Sequence, residues 1–452
     1  MRFERCWQTL ANLKIRSSVE RDQLLDFQPT LAGALFNLEK MCRSIRAEER
    51  RLVARKRQVS DVWFRTRMKT LRRYRVGLRE AMDVGRGIGD AFAWLFYYRQ
   101  PEYLIKHLGH QPLKSMPPGI GGRGELAFLH ETKLIGKSLV IYHGTTTFLR
   151  IGDISLINLE SGRLAGIGEL KTTESEPGKF IITIHLVGPG LLRILPGDVL
   201  TKTRSNSPPL NKLPESIRQR LDRQLNAMGA TFAAQKPEEV KDISRASHLP
   251  ELCTLAQKLE KENIAFQRVG DGLLLIGHRQ RGKGDFARRV LSRTRQYRSK
   301  RHVEELKKHV LGLMGPNSDD NSVILGALDL TLLPGATPLF WWRVDLGFLR
   351  SLFFQDTVVV CVYNPAHLAH KFRAAGFHVE RLKDNWEIRV SKQLSKGRFV
   401  LDGFNYFAQM VSRHLMREEA VVIALEAALK KAEDQKSNNN LRIDIQMMLN
   451  WM

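Results

Sequence analysis

Two periods of apolar spacing alternate along this chain. Residues 22–98 are poor in proline and rich in good helix formers, and they read as helix. Gly85-Arg86-Gly87-Ile88-Gly89 reads as a turn ahead of an apolar helix over 91–98. No strand precedes it, so a dinucleotide loop is set aside. Residues 111–122, with Pro112, Pro117, Pro118, Gly119, Gly121 and Gly122, mark a loop and the border of a new unit. A short helix over 124–134 follows. Apolar runs bounded by turn signals then predict strands at 139–142, 148–159, 163–172 and 180–187, with Glu160, Ser161, Gly162 and Arg163 as a tight turn. A polar segment, 201–214, leads to a helix over 215–234.

A second border falls at 236–247, which is polar and aperiodic. Beyond it the pattern predicts a helix at 249–262, strands at 264–268 and 272–277, and a basic helical stretch at 279–308. Further strands are expected at 322–333, 357–363, 378–382 and 386–390, with helices at 365–375 and 404–431. At 452 residues the chain is too long for one ordinary core. The expected class is α/β, in three parts: a basic helical N-terminal region (1–110), a strand-rich domain (111–240) and a C-terminal α/β domain (241–452). The most apolar stretch, 339–354, is interrupted by Arg343, Asp345 and Arg350, so it reads as a buried core element and not as a membrane span.

Charge changes the picture. The formal net charge is +25, which points to a polyanionic partner through attraction and counterion release. The excess is mostly arginine spread over several segments, which favours nucleic acid over a membrane surface. Its densest part runs through Arg43, Arg46, Arg50, Arg51, Arg55, Lys56, Arg57, Arg65, Arg67, Lys69, Arg72, Arg73, Arg75 and Arg79, opposed only by Glu48, Glu49 and Asp61. Trp63, Phe64 and Tyr74 interrupt it. Such a stretch can lie along a phosphate backbone and offer rings to exposed bases; the competing reading is a solvated helix whose rings pack inward. Arg50, Arg55, Arg57, Arg65, Arg72 and Arg73, with Arg288 and Arg295 of the second basic stretch, are the candidate phosphate contacts. Cys6, Cys42, Cys253 and Cys361 form no CxxC, which argues against a disulfide framework or a structural zinc site and suits a reducing, cytoplasmic setting. No secretory signal, no Walker-type loop and no Gly-x-Ser-x-Gly element is visible, which speaks against an ATP motor or a serine hydrolase.

The chemistry-bearing residues lie among the predicted strands. Glu169 and Lys171 are two apart and so share one face of a strand, and Asp153 can enter from the hairpin partner. Two carboxylates and the backbone carbonyl of Leu170 suit Mg²⁺, which takes oxygen ligands and keeps several waters. Lys171 could orient the attacking water or steady charge on a phosphate. The plainer alternative makes Glu169 and Lys171 a solvent-facing pair on an edge strand and Asp153 a turn residue. His143 reads as structural, and Arg150 as lying on the face opposite Asp153. His367 and His370 read as helix-surface residues.

Gly124-Glu125, Gly152-Asp153 and Glu169-Leu170-Lys171 together resemble the PD-(D/E)xK nuclease superfamily, which has the restriction-endonuclease-like fold. The resemblance implies an α-β-β-β-α core. It gives Asp153 and Glu169 as metal-binding acids, Lys171 as the catalytic lysine, Glu125 as the acid from the first helix, and a polar residue on the following helix, for which Gln224 is the candidate and Arg220 the reserve. The Leu170 carbonyl completes the expected metal set, and the cofactor would be Mg²⁺ or Mn²⁺. Gly152 stands where the motif has proline, the run 180–187 is additional, and Glu125 could equally serve the helix dipole. The implied activity is hydrolysis of DNA, in phage defence or restriction, with RNA sharing the chemistry; a partner protein or a second copy could use the C-terminal domain. The alternative is a nucleic-acid-binding or scaffold protein without catalysis.

Overall fold

The computed structural model describes residues 2–17, 19–98, 100–108, 119–188, 191–195, 219, 247–279, 308–314, 322–328, 338–381, 388–395, 397–401 and 403–434. The protein is mixed α/β, with antiparallel sheets and several helices. It divides into two compact units, Met1–Glu239 with Thr331–Trp341, and Val240–Leu330 with Trp342–Met452. The N-terminal helices therefore share a unit with the strands that follow them.

The first unit opens with α1 (Arg2–Lys14), α2 (Arg21–Ala54), α3 (Asp61–Tyr97), α4 (Pro101–Leu108) and α5 (Ile120–Glu131). Helices α2 and α3 form an antiparallel pair. Between them lies a single 3-10 turn, Lys56–Gln58, and Ser60 caps α3 by accepting from the Trp63 N–H at 3.3 Å. The sequence places a turn at Gly85–Gly89; instead α3 runs straight through it. Those glycines serve packing. A Cβ on Gly89 would stand 2.0 Å from the Thr145 carbonyl oxygen, so only glycine lets the helix approach that loop.

Six strands follow as an antiparallel meander in chain order: β1 (Leu134–Ile135), β2 (Ser138–Tyr142), β3 (Ile154–Asn158), β4 (Leu164–Glu176), β5 (Lys179–Gly188) and β6 (Leu191–Leu195). The expected strand at 148–159 begins only at Ile154, because its first half is drawn into a loop by side-chain contacts. β1 and β6 have no counterpart in the sequence reading. Against one sheet face pack Ala32 of α2 and Phe128 and Leu129 of α5, meeting Val140, Tyr142, Ile154, Leu156, Leu170, Ile182 and Ile184 in one apolar cluster. The tight turn at 160–163 forms as expected, with Asn158 Oδ1 accepting from the Glu160 and Ser161 N–H groups.

The second unit contains α6 (Leu249–Lys261), β7 (Ile264–Val269), β8 (Leu273–Arg279), β9 (Ile324–Ala327), α7 (Leu346–Phe353), β10 (Thr357–Tyr363), α8 (Ala366–Ala374), β11 (His378–Arg381), β12 (Ile388–Leu394), β13 (Gly397–Leu401), α9 (Phe404–His414) and α10 (Glu418–Asp434). One sheet has the order β7-β8-β10-β9 and the other β11-β12-β13. The single long helix expected over 404–431 is two, because Leu415 adopts a left-handed conformation (φ 51°) that ends α9. Most apolar residues of 339–354 are buried, as the composition implies, while Arg343, Asp345, Gly347 and Arg350 are exposed; no helix among the described residues is long and apolar enough to cross a membrane. All four cysteines are free thiols, and burial raises Cys6 and Cys361 to about 12.

Candidate active site

Strand pleating sorts the site. Leu170 points into the apolar cluster beneath α5, so its neighbours Glu169 and Lys171 project from the other sheet face. Across the ladder Glu169 stands opposite His185 and Lys171 opposite Thr183. Glu169 is 3 % exposed, and a carboxylate so buried needs a compensating charge. Lys171 supplies it, its Nζ lying 2.9 Å from Glu169 Oε1. The pair is thus not the solvent-facing couple of an edge strand: β4 is interior to the sheet and the acid is covered. His185 stays neutral more readily than usual, through burial first and then the Lys171 charge.

Asp153 reaches the same place from the loop before β3. Gly152 has φ 70°, a turn that a side-chain-bearing residue adopts only under strain. Beyond it the Asp153 N–H donates to the Gly168 carbonyl at 2.7 Å, and Asp153 Oδ2 accepts from the Leu170 N–H at 2.8 Å. The carboxylate therefore takes the place of a ladder carbonyl, directly beside Glu169-Leu170-Lys171. The C=O of a strand residue points to the same side as its N–H, so the Leu170 carbonyl also opens on the β3 side of the strand.

The loop is clamped from beneath. His143 donates its backbone N–H to Asp153 O at 2.9 Å, and its Nδ1 lies 3.0 Å from Gly152 O. Its Nε2 is 2.6 Å from Ser155 Oγ, which is 2.5 Å from the Tyr97 hydroxyl of α3. All three side chains are buried, so one proton order fits: Tyr97 donates to Ser155, Ser155 to His143 Nε2, and His143 Nδ1–H to Gly152. Burial raises the Tyr97 hydroxyl pKa, which keeps that donor protonated. His107 Nδ1 accepts from the Arg150 and Ile151 N–H groups and holds the loop from the α4 side. Arg150 is accordingly a loop residue and not a strand residue facing away from Asp153.

Glu125 lies on the α5 side of the sheet. It is buried on α5, where it accepts a short hydrogen bond from the Tyr142 hydroxyl, and Tyr142 belongs to the apolar cluster on the α5 face. Sheet alternation therefore puts Glu125 across the sheet from Glu169 and Lys171. Burial raises Tyr142 well above the usual phenol range, followed by Glu125, with smaller effects from Asp153 and Glu39. Gln28 of α2 fixes this corner, donating to Val140 O at 2.5 Å and accepting from the Tyr142 N–H at 2.7 Å. Among the described residues no group of three or more His, Cys, Asp or Glu side chains is placed to hold a metal. The oxygen set at this corner is Asp153, Glu169 and the Leu170 carbonyl, enough for a hard cation that keeps its waters. Gln224 and Arg220 lie outside the described residues.

The arginines are on the surface. Arg50, Arg55, Arg57, Arg65, Arg72 and Arg73 are all exposed, on the end of α2, the intervening turn and the start of α3. Arg288 and Arg295 lie outside the described residues. The network of Gln28, Tyr97, Tyr142, His143 and Ser155 carries no sequence signal beyond a polar residue in an apolar run, since Gln28 and Tyr97 lie far in the chain from the segment 142–155 that they meet. No family model, no curated protein and no solved structure matches this chain.

Proposed function

We propose that the chain is a metal-dependent nuclease of the PD-(D/E)xK kind, built on a restriction-endonuclease-like core and acting on DNA or RNA. The observation that carries this reading is the hydrogen bond from the Leu170 N–H to Asp153. It sets that carboxylate beside a buried Glu169 whose counter-ion is Lys171. Asp153, Glu169 and the Leu170 carbonyl would hold Mg²⁺ or Mn²⁺, and such an ion supplies an activated water and neutralises charge on the scissile phosphate. Lys171, 34 % exposed at its side chain, can reach a phosphate oxygen and donate to it. The Tyr97–Ser155–His143 chain keeps the Asp153 loop in place, and Glu125 acts through Tyr142 as a support and not as a ligand. The basic surface of α2 and α3 supplies attraction for the polymer.

Linear, circular and single-stranded DNA, and RNA, incubated with Mg²⁺, Mn²⁺ or EDTA, test the reading. Cleavage is expected with metal and not with EDTA, and Asp153→Ala or Lys171→Ala should lower it by at least about 100-fold. Full activity in both variants overturns the site. A salt-dependent gel shift with no cut product under any metal favours the second reading, a binder whose acid–lysine pair is structural.

A further inference from the structure

The distal half of the α2–α3 pair carries a surface that the cleavage chemistry does not use. Residues 61–80 of α3 extend for about 30 Å. Over 41–80 the buried residues are Cys42, Glu49, Leu52 and Leu71. Three of the four acids of this stretch are taken up within it: Glu48 by Arg67 at 3.6 Å, Glu49 by Arg75 at 2.5 Å and Asp61 by Arg65 at 2.6 Å; the fourth, Glu80, stands at its sheet-side end. The remaining cations leave the arm strongly positive.

Two large rings stand in water on this polycation. Trp63 is 49 % exposed and Tyr74 47 % exposed, while Phe64 between them is half-buried with Lys56 over its ring. Eleven residues are close to three whole helical turns, so Trp63 and Tyr74 lie on one flank of α3, about 16 Å apart. Lys69 and Arg73, both exposed, sit about a quarter to a third of a turn round the helix, on the crest facing away from buried Leu71. From Tyr74 to Arg73 that arc is about 10 Å on a helix of this width, whereas Lys69 lies about 7 to 9 Å along the axis from either ring and so falls on the path of a strand that runs between them.

We propose that this flank binds single-stranded nucleic acid, with bases stacked on Trp63 and Tyr74 and phosphates on Lys69 and Arg73. The rings decide between strand forms. In a duplex each base face is covered by its neighbours, and an aromatic side chain on a helix flank finds nothing to stack on. An unpaired strand offers free faces, and stacking on them tolerates any sequence. The proposal rests on the nucleic-acid part of the reading above and is independent of the metal site.

Fluorescence anisotropy of the full chain in EDTA tests it, with labelled single-stranded DNA, single-stranded RNA and duplex DNA of about 20 nucleotides or base pairs. Wild type is expected to prefer the single strands. Trp63→Ala and Tyr74→Ala should each weaken single-strand binding about tenfold and leave duplex binding within about twofold, and Trp63→Phe with Tyr74→Phe should restore most of the loss. The DNA and RNA arms show whether the sugar matters. Equal losses on duplex and single strand, no loss at all, or a wild-type preference for duplex overturns the proposal. EDTA prevents cutting, and Lys171→Ala serves as control: failure of the nuclease reading leaves these affinities as they are, whereas failure here leaves metal-dependent cleavage intact.

Discussion

The two halves of the α2–α3 pair are built on opposite principles. Near the sheet, Phe27, Leu31, Ala32 and Leu35 of α2 are buried, as is the run from Ala81 to Trp94 of α3 apart from Asp83 and Arg86. Phe27 and Phe92 stack there at 4.1 Å, and Trp341 donates to the Ala91 carbonyl at 2.8 Å. Away from the sheet, burial drops to a handful of residues and arginine takes over. The same two helices thus serve as scaffold at one end and as a charged arm at the other. A helix pair can carry so many like charges at one end because its stability is supplied at the other, where apolar area leaves water.

Substitutions can break or sharpen that contrast. The largest loss is expected at the close approach of scaffold to loop. Gly89→Ala should destabilise the protein by about 3 kcal/mol in urea unfolding, because the new methyl meets a backbone oxygen that cannot step aside. His143→Ala should cost about 2 kcal/mol, since it strips buried Ser155 of its acceptor and frees the Gly152 turn. A change below about 0.5 kcal/mol would show that the polar clamp contributes nothing to the scaffold half. At the arm, Lys69→Ala and Arg72→Ala should leave unfolding unchanged within about 0.5 kcal/mol. Each should instead reduce the slope of log affinity for single-stranded DNA against log salt by about 0.7. If these two destabilised as much as His143→Ala, the division of labour between the halves would be refuted.

Much of this was legible in the sequence, and the reason differs by element. Helix-forming composition marked 22–98 as helical without its break into α2 and α3, apolar runs placed most strands, and turn residues placed the turn at 160–163, because these are all local properties of the chain. Glu169 and Lys171 had to share a face for the same reason, and the basic arm was visible as composition. What the chain could not reveal is which atoms meet across long separations. The Gly85–Gly89 run is indistinguishable from a turn until Thr145 is seen against Gly89. The strand expected from 148 fails because His107 and His143 capture the loop's backbone groups. Glu125 sits on a helix of the right kind, yet the sheet stands between it and Glu169, a matter of which layer α5 covers.

By itself, then, the sequence determined local periodicity, the pairing of Glu169 with Lys171 on one pleat, and a charge suited to a polyanion. The tertiary structure decided that Asp153 joins that pair through the Leu170 N–H, that Glu125 turns to Tyr142, and that Trp63 and Tyr74 face water. The physical reason is that pleat and helix period act between near neighbours, whereas burial and hydrogen bonding are settled by whichever distant segment arrives.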